Sequence, residues 1–227
     1  MIPPLHTVLQ RLRRDGVSHM AWLIAGRIRL QFRSFVEDAR RGVSTAREVD
    51  DYKLGFLDSR FHAYVATDYR TLKTAFGHIQ VRAAEDVFVD FGSGKGRVVI
   101  LAAELPFHRV TGIEFSEQLH DQALQNLRSL RNRVCQNVEL ICIDARDWKI
   151  PHDATVLFFF NPFEGEVLAK VCANIRQSLA EVPRKITIIY VRADKFFEKE
   201  IKWKEWLTRT AEFPCSDGKV AIYVNSV

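Results

Sequence analysis

Apolar residues in this chain fall into two repeating patterns. Short apolar runs recur at Val87 to Phe91, Arg109 to Glu114, Val138 to Ile143, Ala154 to Phe160 and Lys185 to Val191, and each reads as a strand. The first is apolar throughout except at Asp90, as expected of a strand buried on both faces. Between the runs lie segments predicted as helices over Gly96 to Leu105, Ser116 to Arg131 and Gly165 to Leu179. In the second of these, Leu119, Ala123, Leu127 and Leu130 make an apolar stripe at three- and four-residue steps. Ser116 is its expected N-cap, with Glu117 in the first turn. Strand and helix in alternation predict a mostly parallel sheet with helices on both faces, an α/β three-layer architecture. Residues 202–213 and 219–224, on either side of Ser216-Asp217-Gly218, read as a closing antiparallel hairpin that completes seven strands.

The first sixty residues follow another rule. Leu9, Leu12, Ile24, Ile28, Phe32, Phe35 and Val36 recur at near-helical spacing among Arg11, Arg13, Arg14, Arg27, Arg29, Arg33, Arg40 and Arg41. Residues 1–60 are therefore expected as a basic helical extension and 61–227 as the main domain. A basic amphipathic helix suits an anionic membrane surface or an acidic partner, or it packs on the domain with its arginines solvated. Nucleic acid is not the expected partner: the net charge of +5 is modest, and no basic stripe alternates with aromatics.

The chemistry gathers where the predicted strands end. After the first, Asp90-Phe91-Gly92-Ser93-Gly94-Lys95-Gly96-Arg97 forms a turn that lets a ligand lie against bare backbone, at a helix start where N–H groups are unpaired. A P-loop would need Gly-Lys-Ser/Thr and a dinucleotide fingerprint a third glycine at position 97, and neither is present. Asp90 would repel a pyrophosphate and suits a ligand carrying a cation or several donors. The second strand ends in Glu114, at the interval expected for a ribose-binding carboxylate. The third ends at Asp144-Ala145 and the fourth at Asn161-Pro162-Phe163. Open α/β sheets bind ligands along this edge.

Taken together, these motifs resemble the Rossmann-like S-adenosylmethionine-dependent methyltransferases, over about residues 62 to 225. The string Val89 to Arg97 is similar to that of the DOT1-type lysine methyltransferases and of small bacterial enzymes related to them. The resemblance implies S-adenosylmethionine as cofactor. It places the methionine portion at Asp90, Gly92, Ser93, Gly94 and Gly96, the ribose at Glu114 beside Phe115, and the adenine at Asp144 and Ala145. It also implies that segment 61–80 is a lid over the cofactor, with Tyr64 and Tyr69 in reach of ligand; His62, in the same segment, is a candidate base by residue type.

Asn161, Phe163 and Tyr69 are the catalytic candidates. Asn161 can accept an N–H bond and so aim an amine lone pair, and Phe163 can stack on the acceptor. Asn161 also counts among the cofactor contacts. An O-methylating enzyme would need a base, for which Glu164, Glu166 and His62 are available. The acceptor is expected to be a protein amine, or a small molecule methylated on nitrogen or oxygen. A module that binds the cofactor without catalysis and a nicotinamide-dependent oxidoreductase are the competing readings. Cys135, Cys142, Cys172 and Cys215 form no Cys-x-x-Cys pair, so no metal is expected, and they suit a reducing, cytoplasmic compartment.

Overall fold

A single seven-stranded sheet organises the chain, in the order β3-β2-β1-β4-β5-β7-β6. The computed structural model describes residues 25–26, 28–47, 64–163, 165–192, 205–216 and 218–226. The strands are β1 (Val87–Phe91), β2 (Arg109–Glu114), β3 (Val138–Cys142), β4 (Ala154–Phe160), β5 (Thr187–Val191), β6 (Leu207–Cys215) and β7 (Gly218–Asn225). Pairs among β1 to β5 are parallel, while β7 runs antiparallel to both β5 and β6. The closing hairpin expected from the turn at Ser216 is therefore present. It reaches Cys215, beyond the expected end at residue 213.

The helices among the described residues are α1 (28–41), α2 (Tyr69–Gly77), α3 (Arg97–Ala103), α4 (Glu117–Ser129) and α5 (Gly165–Glu181). Local sequence accounts for their starts. The Asp68 side chain accepts from Arg70 N–H to open α2, and Ser116 accepts from Leu119 N–H to open α4. Successive residues of β1 serve opposite layers. Val87, Val89 and Phe91 join Val167, Leu168 and Val171 of α5, whereas Phe88 joins Leu72 and Phe76 of α2 and Val98 of α3. All five residues of β1 are buried, while β3, at the sheet edge, is only partly so.

The basic extension is not peripheral over its described part. One face of α1 and the loop after it dock on the domain. Asp38, 3% exposed, accepts from Thr45 Oγ1 at 2.8 Å and from Tyr69 Oη at 2.6 Å. Arg41 bonds Glu104 at 3.0 Å. Ile28, Phe32 and Phe35 remain exposed. No helix among the described residues is long and apolar enough to cross a membrane. Leu9, Leu12, Ile24, His62, Glu164 and Asp217 lie outside the described residues.

Candidate active site

The sheet order reverses between β1 and β4, and a cavity of about 530 Å³ opens at the carboxyl ends of these strands. A crevice at such a reversal is where α/β sheets take ligands. The turn after β1 forms one wall, the segment Tyr64 to Thr67 another, and the Asn161-Pro162 turn a third.

The glycine turn is held at both ends. Gly92 and Ser93 donate N–H bonds to the Ile113 carbonyl, each at 2.9 Å. Gly94 N–H donates to Glu114 Oε2 at 2.8 Å, and Ser116 N–H to Glu114 Oε1 at 2.9 Å. Glu114 therefore fixes the turn as well as facing the cleft. Each of its oxygens keeps a further lone pair for a ligand donor. Gly94 has φ +53°, and a Cβ there would fall 2.4 Å from the Tyr64 ring. Only glycine lets that ring close over the turn.

Asp90 is 1% exposed, lines the cavity, and its Oδ2 has no hydrogen-bond partner in the protein. Burial first, and the Glu114 carboxylate second, push its pKa well above the ordinary aspartate value. Glu114 is also raised, mainly by burial, although N–H bonds from Ser116 and Gly94 oppose this. Two acids desolvated together make a site that gains when a cation or a set of donors arrives. Ser93 Oγ, buried in the same wall, is likewise unpartnered.

A buried arginine joins the extension to this turn. Arg97, 2% exposed, donates to Thr45 Oγ1 at 2.7 Å and to the Thr67 carbonyl at 2.8 Å, and its guanidinium lies 4.5 Å from the Tyr69 ring centre. Asp38 stands 3.6 Å from its second amino group. Tyr64 Oη donates to the Thr45 carbonyl at 2.9 Å, and Lys95 Nζ to the Arg47 carbonyl at 2.7 Å. Residues 43–47 are thus a strap behind the glycine turn. Arg97 read as the wrong residue for a dinucleotide motif, and its role in this network had no signature in sequence. Its hydrogen-bond partners are 30 to 63 positions away.

The opposite wall rests on an aromatic row. Phe91, Phe159 and Tyr190 occupy matching register positions on β1, β4 and β5. Phe91 stacks on Phe159 at 4.6 Å and Phe159 on Tyr190 at 5.7 Å. Above the row, Tyr190 Oη donates to Asn161 Oδ1 at 3.3 Å, while Asn161 has φ +39°. A left-handed asparagine costs roughly 1–2 kcal/mol and is held only where its surroundings fix it. Tyr190 was not among the candidates; an isolated tyrosine in a β-branched run gives no hint that it orients an amide.

The structure places the sequence candidates unequally. Asp90, Gly92, Ser93 and Gly94 line the cleft, as do Glu114, Phe115, Ala145 and Asn161. Tyr69 does not: it is 1% exposed, with its hydroxyl bonded to Asp38. It is a packing residue and not a catalytic one. Gly96 lies away from the cleft wall; at φ +81° it caps α3, where a Cβ would fall 3.2 Å from that of Ala123. Asp144 is paired with Arg146 at 2.6 Å and does not line the cavity. The Arg146 side-chain hydrogen bond first, then its backbone N–H bond and its charge, hold the Asp144 carboxyl below the usual range despite partial burial. Phe163 borders the cavity but is 3% exposed, packed edge-on against Phe159 in the core. It shapes the floor and offers little face for stacking.

Residues 88–181 match a family model described as a methyltransferase domain. The fold is that of several solved structures. An RNA methyltransferase from Salinibacter ruber in complex with S-adenosyl-L-homocysteine is 23% identical with a TM-score of 0.50, over 70% of this chain and 93% of that one. An S-adenosylmethionine-dependent methyltransferase from Aquifex aeolicus is 13% identical with a TM-score of 0.53, over 79% and 100%. Geranyl diphosphate C-methyltransferase from Streptomyces coelicolor A3(2) is 12% identical with a TM-score of 0.52, over 70% and 76%. The curated proteins contain no match to this sequence.

Proposed function

We propose that this S-adenosylmethionine-dependent methyltransferase methylates an amine nitrogen, and that the amine belongs to a polypeptide. The cleft's own residues fit the cofactor. Asp90 offers an unpartnered buried carboxylate to an ammonium group, the turn at Gly94 offers bare backbone, and Glu114 retains lone pairs for the ribose hydroxyls. The same carboxylate disfavours the pyrophosphate of a nicotinamide dinucleotide. Bound here, the cofactor supplies a methyl group already activated by its sulfonium, so the protein has chiefly to position the acceptor.

The observation that carries the amine reading is Asn161. Its amide lines the cleft from a strained turn and is oriented by the buried Tyr190 hydroxyl. Its oxygen can accept a second bond from an acceptor N–H and so turn the nitrogen lone pair into the cleft. An amine reacts in its neutral form and needs no base beside it. The likeness of Val89 to Arg97 to the DOT1-type string supports a polypeptide as the amine's bearer.

Labelled methyl transfer into a cell lysate tests this, with and without protease. Label is expected in protein, on nitrogen, and Asn161→Ala should lower the rate about 100-fold while cofactor affinity changes little. Label confined to small molecules would refute the polypeptide, and label on oxygen or carbon the amine.

A further inference from the structure

A second strained residue stands at the end of the strand beside Asn161. Arg192 follows β5 directly, has φ +60° and lines the same cleft. Left-handed backbone costs an arginine roughly 1–2 kcal/mol, and such residues gather at ligand sites. Two of them at the mouths of adjacent strands point to one place. Arg192 is also supported on two sides. Its Cγ lies 3.9 Å from where a Cβ on Gly218 would project, at the β6–β7 turn. Its guanidinium lies 5.9 Å from the Phe160 ring centre.

What the side chain lacks, among the described residues, is an acid. Among the described residues no carboxylate forms an ion pair with Arg192. The acids among the described residues lining the cleft are Asp90 and Glu114, and neither forms an ion pair with Arg192. A guanidinium beside an aromatic ring retains N–H groups in its plane, and their fork matches a carboxylate or a phosphate.

We propose that Arg192 binds an anionic group, carboxylate or phosphate, carried by the methyl acceptor close to its reacting nitrogen. This rests on the amine reading above: Asn161 selects the atom, and Arg192 fixes the acceptor that bears it. A cleft with its acids towards the cofactor and a cation at the acceptor wall also discriminates against amines that lack the anion.

The full-length protein saturated with S-adenosylhomocysteine is titrated with inorganic phosphate and, separately, with acetate. The reading is the Arg192 side-chain N–H signal in nuclear magnetic resonance. Saturable movement with phosphate identifies a phosphate-bearing acceptor, and with acetate a carboxylate-bearing one. Arg192→Gln should weaken the bound anion about tenfold or more, with Arg192→Lys intermediate, and leave S-adenosylhomocysteine affinity within about twofold. If neither anion moves the signal, the proposal is overturned. It is equally overturned if Arg192→Gln weakens the cofactor product itself tenfold, because the arginine would then serve the cofactor. Anion binding involves no methyl transfer, so this result stands apart from the amine reading, which fails or holds on Asn161.

Discussion

Asp90 concentrates the energetic cost of the site in one residue. Its carboxyl holds its proton more tightly folded than unfolded, because burial and Glu114 both disfavour the charge. The cofactor-free protein therefore takes up protons on folding at this position. Its stability should fall as pH rises from the ordinary aspartate range through the raised pKa of Asp90. Asp90→Asn should flatten that dependence and raise the melting temperature at pH 8, while weakening S-adenosylmethionine binding about 10- to 100-fold. Thermal scans across pH and calorimetric titration measure the two halves; a variant both less stable and equally tight in binding would contradict the assignment. Gly94→Ala acts differently. Its Cβ must displace the Tyr64 ring, so cofactor binding should be lost with the sheet intact by circular dichroism.

Among the elements, α1 follows one of the readings its sequence left open, a helix packed on the domain. A membrane surface and an acidic partner were the others, and Asp38 is buried and linked to Tyr69, Thr45 and Arg97. Asp38→Ala would leave a buried guanidinium without its carboxylate and should cost about 3–5 kcal/mol in urea unfolding. A change within about 0.5 kcal/mol, usual for a surface residue, would show α1 to be an appendage after all. The junction of α3 and α4 makes a smaller prediction. Gly96→Ala meets both a positive φ and the methyl of Ala123, and should cost roughly 1–3 kcal/mol while sparing cofactor contacts. The start of α4 was legible because capping is local: Ser116 acts on an N–H group three residues away.

For the whole molecule, one sheet carries both halves of the site. Under the proposed function the cofactor wall belongs to β1 and β2, and the acceptor wall to β4 and β5, joined by Phe91, Phe159 and Tyr190. A ligand bridging these walls should stabilise the entire domain. S-adenosylhomocysteine at 100 times its dissociation constant is expected to add about 2.7 kcal/mol, a rise of roughly 5–10 °C in melting temperature. A nicotinamide dinucleotide should add nothing. A shift produced by the dinucleotide instead would overturn the placement of the cofactor.

The sequence by itself determined the strands, most of the helices and the edge on which the chemistry lies. Apolar periodicity and turn residues act over a few positions, and the motif at Asp90 to Gly94 is read within one turn of chain. Tertiary structure decided what distant residues do to one another. It took Tyr69 out of the cleft and brought Arg97 to a strap some fifty residues upstream. It also set Tyr190 beneath Asn161 and Arg192 beside it. Those outcomes depend on strand order and register, which hydrophobic pattern leaves open, since any strand buried on both faces reads the same wherever it is inserted in the sheet.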